Sequence, residues 1–275
     1  VSKMLADIGL EATTQQIITS AQAVLQLVAD EVPAASKLLI IGADSFRDLA
    51  REMGFEVVSS ADDKPAAVVQ GFDRSVGWEQ LTEGALAIRQ GAKFFASNLD
   101  TSLPIERGFA VGNGSLVAAI QSATGVEPVS AGKPSPAMFT FAAKQIGAKK
   151  PLAVGDRLDT DIAGGNSAAM NTFHVLTGVS GELELIEAPV EARPNFIGAG
   201  MHELALPVSV ARPGAQGGFT ARCDGHDLLL EGGDEKSTSV QALRTVLEVA
   251  WAMPSPPRYI QPRSERAEKV VAQWR

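Results

Sequence analysis

Short apolar runs alternate with amphipathic stretches along the first two thirds of the chain. Period-2 or fully apolar runs of four or five residues are typical of strands, and longer runs with a 3.6-residue period are typical of helices. The predicted strands are 38–41, 66–69, 93–96, 152–154 and 172–176. The predicted helices begin at Asp44 or Ser45 and end at Gly54, then cover 78–90, 114–124, 136–146 and 161–170. Alternation of this kind predicts βα units and an α/β fold with a parallel sheet.

The pattern changes near the C-terminus. Residues 211–218 are rich in Gly and Pro and read as a linker. Beyond them, 219–223 and 227–231 flank Asp224-Gly225, which predicts a β-hairpin. Helices are predicted over 237–251 and about 263–274. This small α+β unit either packs against the rest of the protein or forms a dimer contact.

Residues for such a dimer contact lie on the first of these helices. They are Val246, Leu247 and Trp251. A homodimer is therefore a possible assembly.

Composition narrows the classes of partner. Lys and Arg total 24 against 32 Asp and Glu among 275 residues, a formal net charge of −8, which disfavours broad nucleic-acid binding. No apolar run approaches the roughly 20 residues that span a bilayer, so no membrane partner is expected and a cytoplasmic location is predicted. A single cysteine and three scattered histidines disfavour a disulfide or a zinc site. Any metal should have oxygen ligands, which favours Mg2+.

An aspartate-rich segment follows the predicted strand 152–154. Asp156 lies at the carboxyl end of that strand, where open α/β sheets place their active sites, and Asp159 and Asp161 follow closely. One interpretation is a Mg2+ site with Asp156 as ligand and Asp161 orienting the loop. An Asp-rich turn that caps the next helix uses the same residue types and is equally compatible.

A second segment presents Lys133 between Gly132 and Pro134, just before a predicted helix. A rigidly held ammonium group suits the neutralisation of a phosphoryl group in a transition state. An ordinary exposed lysine is the alternative. The Asp-rich strand end, only one βα unit later, favours the chemical interpretation.

Together these segments resemble two motifs of a known family. The run GKPSP at 132–136 and the run GDRLDTD at 155–161 resemble the third and fourth motifs of the haloacid dehalogenase-like phosphatases. More narrowly, they are similar to the branch that contains the NagD-type, p-nitrophenylphosphate and glycerol-phosphate phosphatases. Supporting matches are SNLDT at 97–101 and VGNGSL at 111–116, and the similarity runs from residue 1 to about 180.

The resemblance implies a phosphatase that hydrolyses a small phosphomonoester, such as glycerol phosphate or phosphoglycolate, through a phospho-aspartate and with Mg2+. It implies catalytic roles for Lys133, Asp156 and Asp161, with Asp156 also a metal ligand. Lys133 would contact the substrate as well. Asn98 and Asp100 would either contact it too or form only a turn.

The resemblance also implies a domain layout. A Rossmann-like core would comprise 1–18 and 128–206, interrupted by an α/β cap over 19–127 that closes on the substrate. Residues 207–275 would form the small α+β unit, which is similar to the C-terminal unit of actinobacterial glycerol-3-phosphate phosphatases.

The chain departs from the family in two respects, because the family's first two motifs are both absent. The second motif is an apolar strand that ends in Thr or Ser with Asn residues. The family's nucleophile lies in an Asp-x-Asp motif followed by Gly, and no such motif precedes Lys133. One expectation is that the native protein carries the motif before residue 1, so that the core is incomplete here and the chain itself is inactive. Val1 in place of an initiator Met favours this interpretation. The alternative is a non-catalytic protein of the same fold that binds a phosphate ligand or acts as a scaffold.

Overall fold

The computed structural model describes residues 2–274. The chain forms two compact units, Val1–Gly147 and Ala148–Arg275. Within the described range, no helix combines the length and the apolar character needed to cross a bilayer.

The first unit alternates strands and helices. Its helices are α1 (Ser2–Asp7), α2 (Ser20–Glu31), α3 (Asp44–Glu52), α4 (Trp78–Arg89), α5 (Asn113–Thr124) and α6 (Ala137–Gln145). Its strands are β1 (Lys37–Ile41), β2 (Glu56–Val58), β3 (Ala67–Gln70), β4 (Lys93–Ala96), β5 (Ser102–Ile105), β6 (Gly108–Val111) and β7 (Val129–Ser130).

Five of these strands form one parallel sheet in the order β2-β1-β3-β4-β7. Apolar side chains leave both faces of the central strands. On one face, Val69 and Phe95 lie in a core with α2, and on the other, Val68 and Phe94 lie in a core with α4 and α5. Burial on both faces explains why these strands are continuous apolar runs rather than alternating ones.

The last part of this unit joins the same sheet. Strand β7 pairs with β4, and α6 contacts α2. Residues 128–147, predicted to begin the second part of the core, therefore lie in the first compact unit. The four-part division into 1–18, 19–127, 128–206 and 207–275 stays a prediction.

Local differences from the predicted elements have physical causes. The N-cap of α3 is Ala43, and Asp44 is instead the first helical residue, paired with Arg47 at 2.7 Å. Helix α2 begins with a capping box formed by Thr19 and Gln22, a signal that the sequence contains. The hairpin β5–β6 was also not predicted, because Pro104 and a charged turn hide its strand pattern.

The second unit has two small sheets. Its elements are β8 (Leu152–Gly155), α7 (Ala163–Ser167), β9 (Asn171–Val175), α8 (Glu182–Glu187), β10 (Phe196–Gly198), α9 (Val208–Ala211), β11 (Phe219–Asp224), β12 (Asp227–Gly232), α10 (Ser239–Ala250), β13 (Ile260–Pro262) and α11 (Glu265–Val271). The parallel sheet has the order β10-β9-β8, and the mixed sheet has the order β11-β12-β13. The predicted hairpin over 219–231 is thus present.

The helix predicted over 161–170 has a different form. A π-helical turn, Leu158–Ile162, precedes the short α7. A Cβ at Gly165 would lie 2.6 Å from Thr172 Cγ2 and 2.7 Å from Ala153 Cβ. The helix therefore packs directly on β8 and β9, and only glycine allows that approach.

One hydrophobic core joins the small sheets of the second unit. Ile162 and Ile197 share it with Leu230, Val246 and Leu247, and all five are fully buried. The indole of Trp251 donates to the Leu185 carbonyl at 2.9 Å. The suggested dimer contact through Val246, Leu247 and Trp251 is therefore wrong, because these side chains pack within their own unit.

A buried ion pair reinforces that core. Arg244 is 1% exposed, and its Nε donates to the Ile197 carbonyl at 2.9 Å. Its Nη2 pairs with the Glu203 carboxylate. Helix α10 is thereby tied to the end of β10.

We predict that Arg244→Ala lowers the free energy of unfolding of the second unit by about 3–5 kcal/mol, because it leaves Glu203 without its buried partner. Urea unfolding followed by Trp251 and Trp274 fluorescence, in a Trp78→Phe background, measures it. Lys269→Ala is the control, since it removes an exposed pair with Glu265 in the same unit and should change little. Equal effects of the two substitutions would contradict the prediction.

Candidate active site

In the first unit, the loop after β4 carries two of the predicted substrate-binding residues. Asn98 Nδ2 donates to Asp100 Oδ2 at 2.8 Å, and Ser97 Oγ donates to Asn98 Oδ1 at 3.0 Å. Helix α5 holds the loop from its N-terminus. The Gly114 N–H donates to the Asp100 carbonyl at 2.8 Å, and Asn113 Nδ2 donates to the Asn98 carbonyl at 2.8 Å. The loop is thus fixed through its main chain, which leaves Asp100 exposed.

Two glycines make this attachment possible. A Cβ at Gly112 would lie 2.3 Å from the Asp100 carbonyl oxygen, and one at Gly114 would lie 2.1 Å from the Leu99 carbonyl oxygen. No other residue type allows the helix terminus to come so close to the loop. The glycine spacing in the run 111–116 therefore has a structural cause.

Lys133 follows the neighbouring strand, β7. A Cβ at Gly132 would lie 2.7 Å from Asn98 Cα, so the backbone just before Lys133 touches the β4 loop. The Gly132 N–H donates to Ser130 Oγ at 3.1 Å, which steadies this turn. The structure thus places Lys133, Asn98 and Asp100 on adjoining loops at the carboxyl edge of one sheet.

In the second unit, Asp156 follows β8 at the carboxyl edge of the smaller parallel sheet. Its Oδ2 accepts from the Val179 N–H at 2.8 Å, and its carbonyl accepts from the Ser180 N–H at 3.0 Å. A Cβ at Gly178 would lie 1.9 Å from Asp156 Oδ2. The loop after β9 therefore closes over Asp156.

Asp161 supports the same loop from beneath. This residue is 8% exposed, and its Oδ2 accepts from the Arg157 N–H at 3.2 Å. A Cβ at Gly155 would lie 2.1 Å from Asp161 Cβ. The contact orients the backbone that presents Asp156.

Asp159 has a separate role from its two neighbours. Hydrogen bonds from the Arg157 guanidinium hold the pKa of Asp159 below its usual range, with Nη2–Oδ2 at 2.7 Å. The pair is largely exposed. Repulsion among the three carboxylates is thus reduced by a neighbouring cation.

His174 lies in β9 and is fully buried. Its Nε2 donates to the Ser180 carbonyl at 3.0 Å, which ties the strand to the loop around Asp156. Burial lowers the pKa of the imidazole below its ordinary value. His174 is therefore a buried core residue.

Sequence reasoning missed the loop Gly178–Ser180. A glycine and a serine directly after a predicted strand, at the same edge as Asp156, were the available signal.

The carboxylate oxygens at this strand end are the type of ligand that suits a hard cation. Asp156 presents a carboxylate at a strand end, and oxygen ligands are those that Mg2+ prefers. Among residues 2–274, no group of three or more His, Cys, Asp and Glu side chains could hold a metal ion.

Two family models match the chain. One, described as haloacid dehalogenase-like hydrolase, matches residues 1–56, and the other, described as HAD-hydrolase-like, matches residues 130–204. The chain is 38% identical over 285 residues to the D-glycerol 3-phosphate phosphatase of Mycobacterium tuberculosis, covering 100% of this chain and 81% of that one. It is 36% identical to an acid sugar phosphatase of Staphylococcus aureus, covering 66% and 69%.

Solved structures give the same result. A crystal structure of the Mycobacterium tuberculosis glycerol phosphate phosphatase in complex with magnesium superposes with a TM-score of 0.92 at 36% identity, covering 99% of this chain and 82% of that one. A p-nitrophenyl phosphatase from Archaeoglobus fulgidus gives 0.65 at 29% identity, covering 74% and 78%.

The fold and the aspartate at the end of β8 therefore define a hydrolase with a Rossmann-like core and a cap domain. The chain belongs to the haloacid dehalogenase-like hydrolases. The resemblance carried by the runs 132–136 and 155–161 is confirmed.

We predict that Gly132→Ala loosens the loop 97–101, because the new methyl group overlaps the Asn98 backbone. The substitution should lower the stability of the first unit by about 1–3 kcal/mol and speed amide hydrogen exchange in the loop. Hydrogen–deuterium exchange by mass spectrometry measures the second effect. Gly77→Ala is the control, since its Cβ would meet only Gln80 Oε1, at 3.6 Å. Unchanged exchange in Gly132→Ala would contradict the inferred contact.

We also predict that the second unit loses stability as the pH falls. The folded-state pKa of His174 lies below its ordinary value of 6.5, so the unfolded chain binds this proton more readily. The contribution of neutral His174 to the free energy of unfolding is complete above the ordinary pKa. It declines on acidification by at most about 1.4 kcal/mol per pH unit.

Urea unfolding across a pH series, with the tryptophan signal described above, tests this expectation. His174→Gln can still donate to the Ser180 carbonyl but does not titrate, so its pH profile should be flatter. Parallel profiles for the two proteins would refute the assignment.

Proposed function

We propose that this protein is a Mg2+-dependent phosphatase that hydrolyses a small phosphomonoester such as glycerol phosphate. The observation that carries the proposal is the position of Lys133 and Asp156. Each matches a family motif, and each follows a parallel strand at its carboxyl edge. The similarity to a glycerol phosphate phosphatase along the whole chain supports the substrate class.

Each residue has a defined part in this chemistry. Lys133 neutralises charge on the phosphoryl group and on the nucleophile. Asp156 is a ligand of Mg2+, which when bound stabilises negative charge on the phosphoryl oxygens. Asp161 keeps the Asp156 loop in position through the Arg157 N–H. An aspartate attacks phosphorus, the ester oxygen leaves with a proton from a second carboxyl group, and water then hydrolyses the phospho-aspartate.

Asn98 and Asp100 are proposed substrate contacts. The loop presents the exposed Asp100 carboxylate for recognition of a hydroxyl group, and Asn98 Nδ2 holds this carboxylate through its Oδ2. Leu103, which follows shortly after, is apolar and exposed at 36%. This combination suits a small polyol or acid phosphate better than an aromatic one.

The nucleophile is the remaining requirement. No Asp-x-Asp motif followed by Gly precedes Lys133 in the 275 residues. We propose that chain outside these residues supplies it, so that the 275 residues by themselves do not turn over substrate. The cytoplasmic location expected from the sequence is part of the same proposal.

The same missing motif supports a second candidate function. A nucleophile-less protein of this fold would bind a phosphate ligand, or act as a scaffold, without hydrolysing it. Titration calorimetry of the 275-residue chain with glycerol 3-phosphate, with and without Mg2+, detects such binding.

We predict that the product of the longest in-frame reading frame hydrolyses p-nitrophenyl phosphate and glycerol 3-phosphate, and that EDTA abolishes turnover. Lys133→Met in that protein should lower kcat by about 10²–10³, because a preorganised charge is lost from the transition state. Lys144→Met is the control, since Lys144 is an exposed lysine on α6.

Turnover by the 275-residue chain alone would refute the claim about the nucleophile. An inactive longer product that still binds glycerol 3-phosphate would favour the second candidate. Equal kcat values for Lys133→Met and Lys144→Met would exclude the proposed role of Lys133.

A further inference from the structure

Ser180 is a buried polar residue beside the candidate site of the second unit, with only 5% of its surface exposed. It ends the loop Gly178–Ser180 that follows β9. A buried serine has three polar groups, its N–H, its carbonyl and its hydroxyl, and groups of this kind are normally hydrogen-bonded. All three are bonded here, and their partners belong to different parts of the chain.

Two of these bonds hold the segment that carries Asp156. The Ser180 N–H donates to the Asp156 carbonyl at 3.0 Å. The Ser180 hydroxyl oxygen accepts from the Leu158 N–H at 3.3 Å, where the π-helical turn begins. Between these two residues, the Arg157 N–H donates to Asp161 Oδ2 at 3.2 Å. Three consecutive residues are therefore fixed, two of them by Ser180.

The third bond anchors Ser180 itself. Its carbonyl accepts from His174 Nε2 at 3.0 Å. His174 is fully buried in β9, the central strand of the sheet, where it pairs with Gly155 on one side and Ile197 on the other. The loop is thus attached to the strand of this sheet that has a neighbour on each side.

The same loop sets the orientation of the Asp156 carboxylate. The Val179 N–H donates to Asp156 Oδ2 at 2.8 Å, and no donor among residues 2–274 bonds to the other oxygen, Oδ1. One oxygen therefore fixes the rotation of the carboxylate, and the other can act as a ligand. The Val179 side chain is 63% exposed, so the position of its N–H depends on the neighbouring bonds of Ser180.

We infer that Ser180 is a positioning residue for Asp156. Its N–H and hydroxyl hold the strand end that carries the carboxylate, and through Val179 it sets the direction of that carboxylate. The inference rests on the proposed function, in which Asp156 is a ligand of Mg2+. Replacing a residue that orients a metal ligand typically lowers metal affinity or activity by about 10- to 100-fold.

Ser180→Ala tests the inference, because it removes the hydroxyl and keeps both main-chain bonds. Ser237→Ala is the matched control, since Ser237 is a 3% exposed serine of the same unit whose hydroxyl donates to the Gly217 carbonyl. Both variants are made in the product of the longest in-frame reading frame, and Mn2+ binding is followed by electron paramagnetic resonance. Ser180→Ala should weaken Mn2+ binding about tenfold, whereas Ser237→Ala should leave it unchanged.

Hydrogen–deuterium exchange of the 275-residue chain provides a readout that needs no metal. Ser180→Ala should speed amide exchange in residues 156–162, because the Leu158 N–H loses its acceptor, and Ser237→Ala should not. Circular dichroism verifies that each variant is folded.

The outcomes separate the role of Ser180 from the proposed function. Unchanged Mn2+ affinity in Ser180→Ala, in a product that hydrolyses p-nitrophenyl phosphate, would overturn the role of Ser180 alone. Unchanged exchange in residues 156–162 would overturn it as well. A longer product that neither binds Mn2+ nor hydrolyses the ester would refute the proposed function, and with it the role of Ser180 toward Mg2+.

Discussion

The close approach of neighbouring atoms to glycine backbone is the constraint on which both candidate site regions depend. In the first unit, Gly112, Gly114 and Gly132 let a helix terminus and a strand end approach the loop 97–101 from two sides. In the second unit, Gly155 and Gly178 let Asp161 and the β9 loop close around Asp156. The loop 97–101 is held largely through its backbone atoms, whereas the loop around Asp156 is held through the Asp156 and Asp161 carboxylates as well. A methyl group at any of these five positions would occupy space already taken.

Much of the fold could be predicted from the chain itself, because its central strands are buried on both faces. Strand β4 has the predicted bounds, and α4 ends one residue earlier than expected. Elements that depend on tertiary contacts were not predictable in this way. The π-helical turn before α7 lies where a regular helix was predicted, and β7 is only two residues long.

The candidate site residues also fall into two groups: those indicated by a local sequence run and those that depend on tertiary contacts. Lys133, Asp156 and Asp161 belong to compact runs whose residue types indicate a chemistry, so sequence reasoning could propose them as site residues. The loop Gly178–Ser180 follows another strand, and its Val179 N–H reaches the Asp156 carboxylate from 23 positions further along the chain. Such a partner becomes evident only when β8 and β9 are paired. The dimer contact suggested on α10 was wrong for a related reason: the amphipathic face of α10 looks like an interface until the residues that cover it are known.

The shared core of the second unit has a consequence for how the family can vary. Residues 158–197 and 219–274 bury their apolar side chains in one another, with Arg244 bridging them. The C-terminal region is therefore not a module that recombination can exchange at the Gly- and Pro-rich linker. A chimera joined within 211–218 would take one part of its hydrophobic core from each parent. The two parts would pack only if their apolar side chains were complementary.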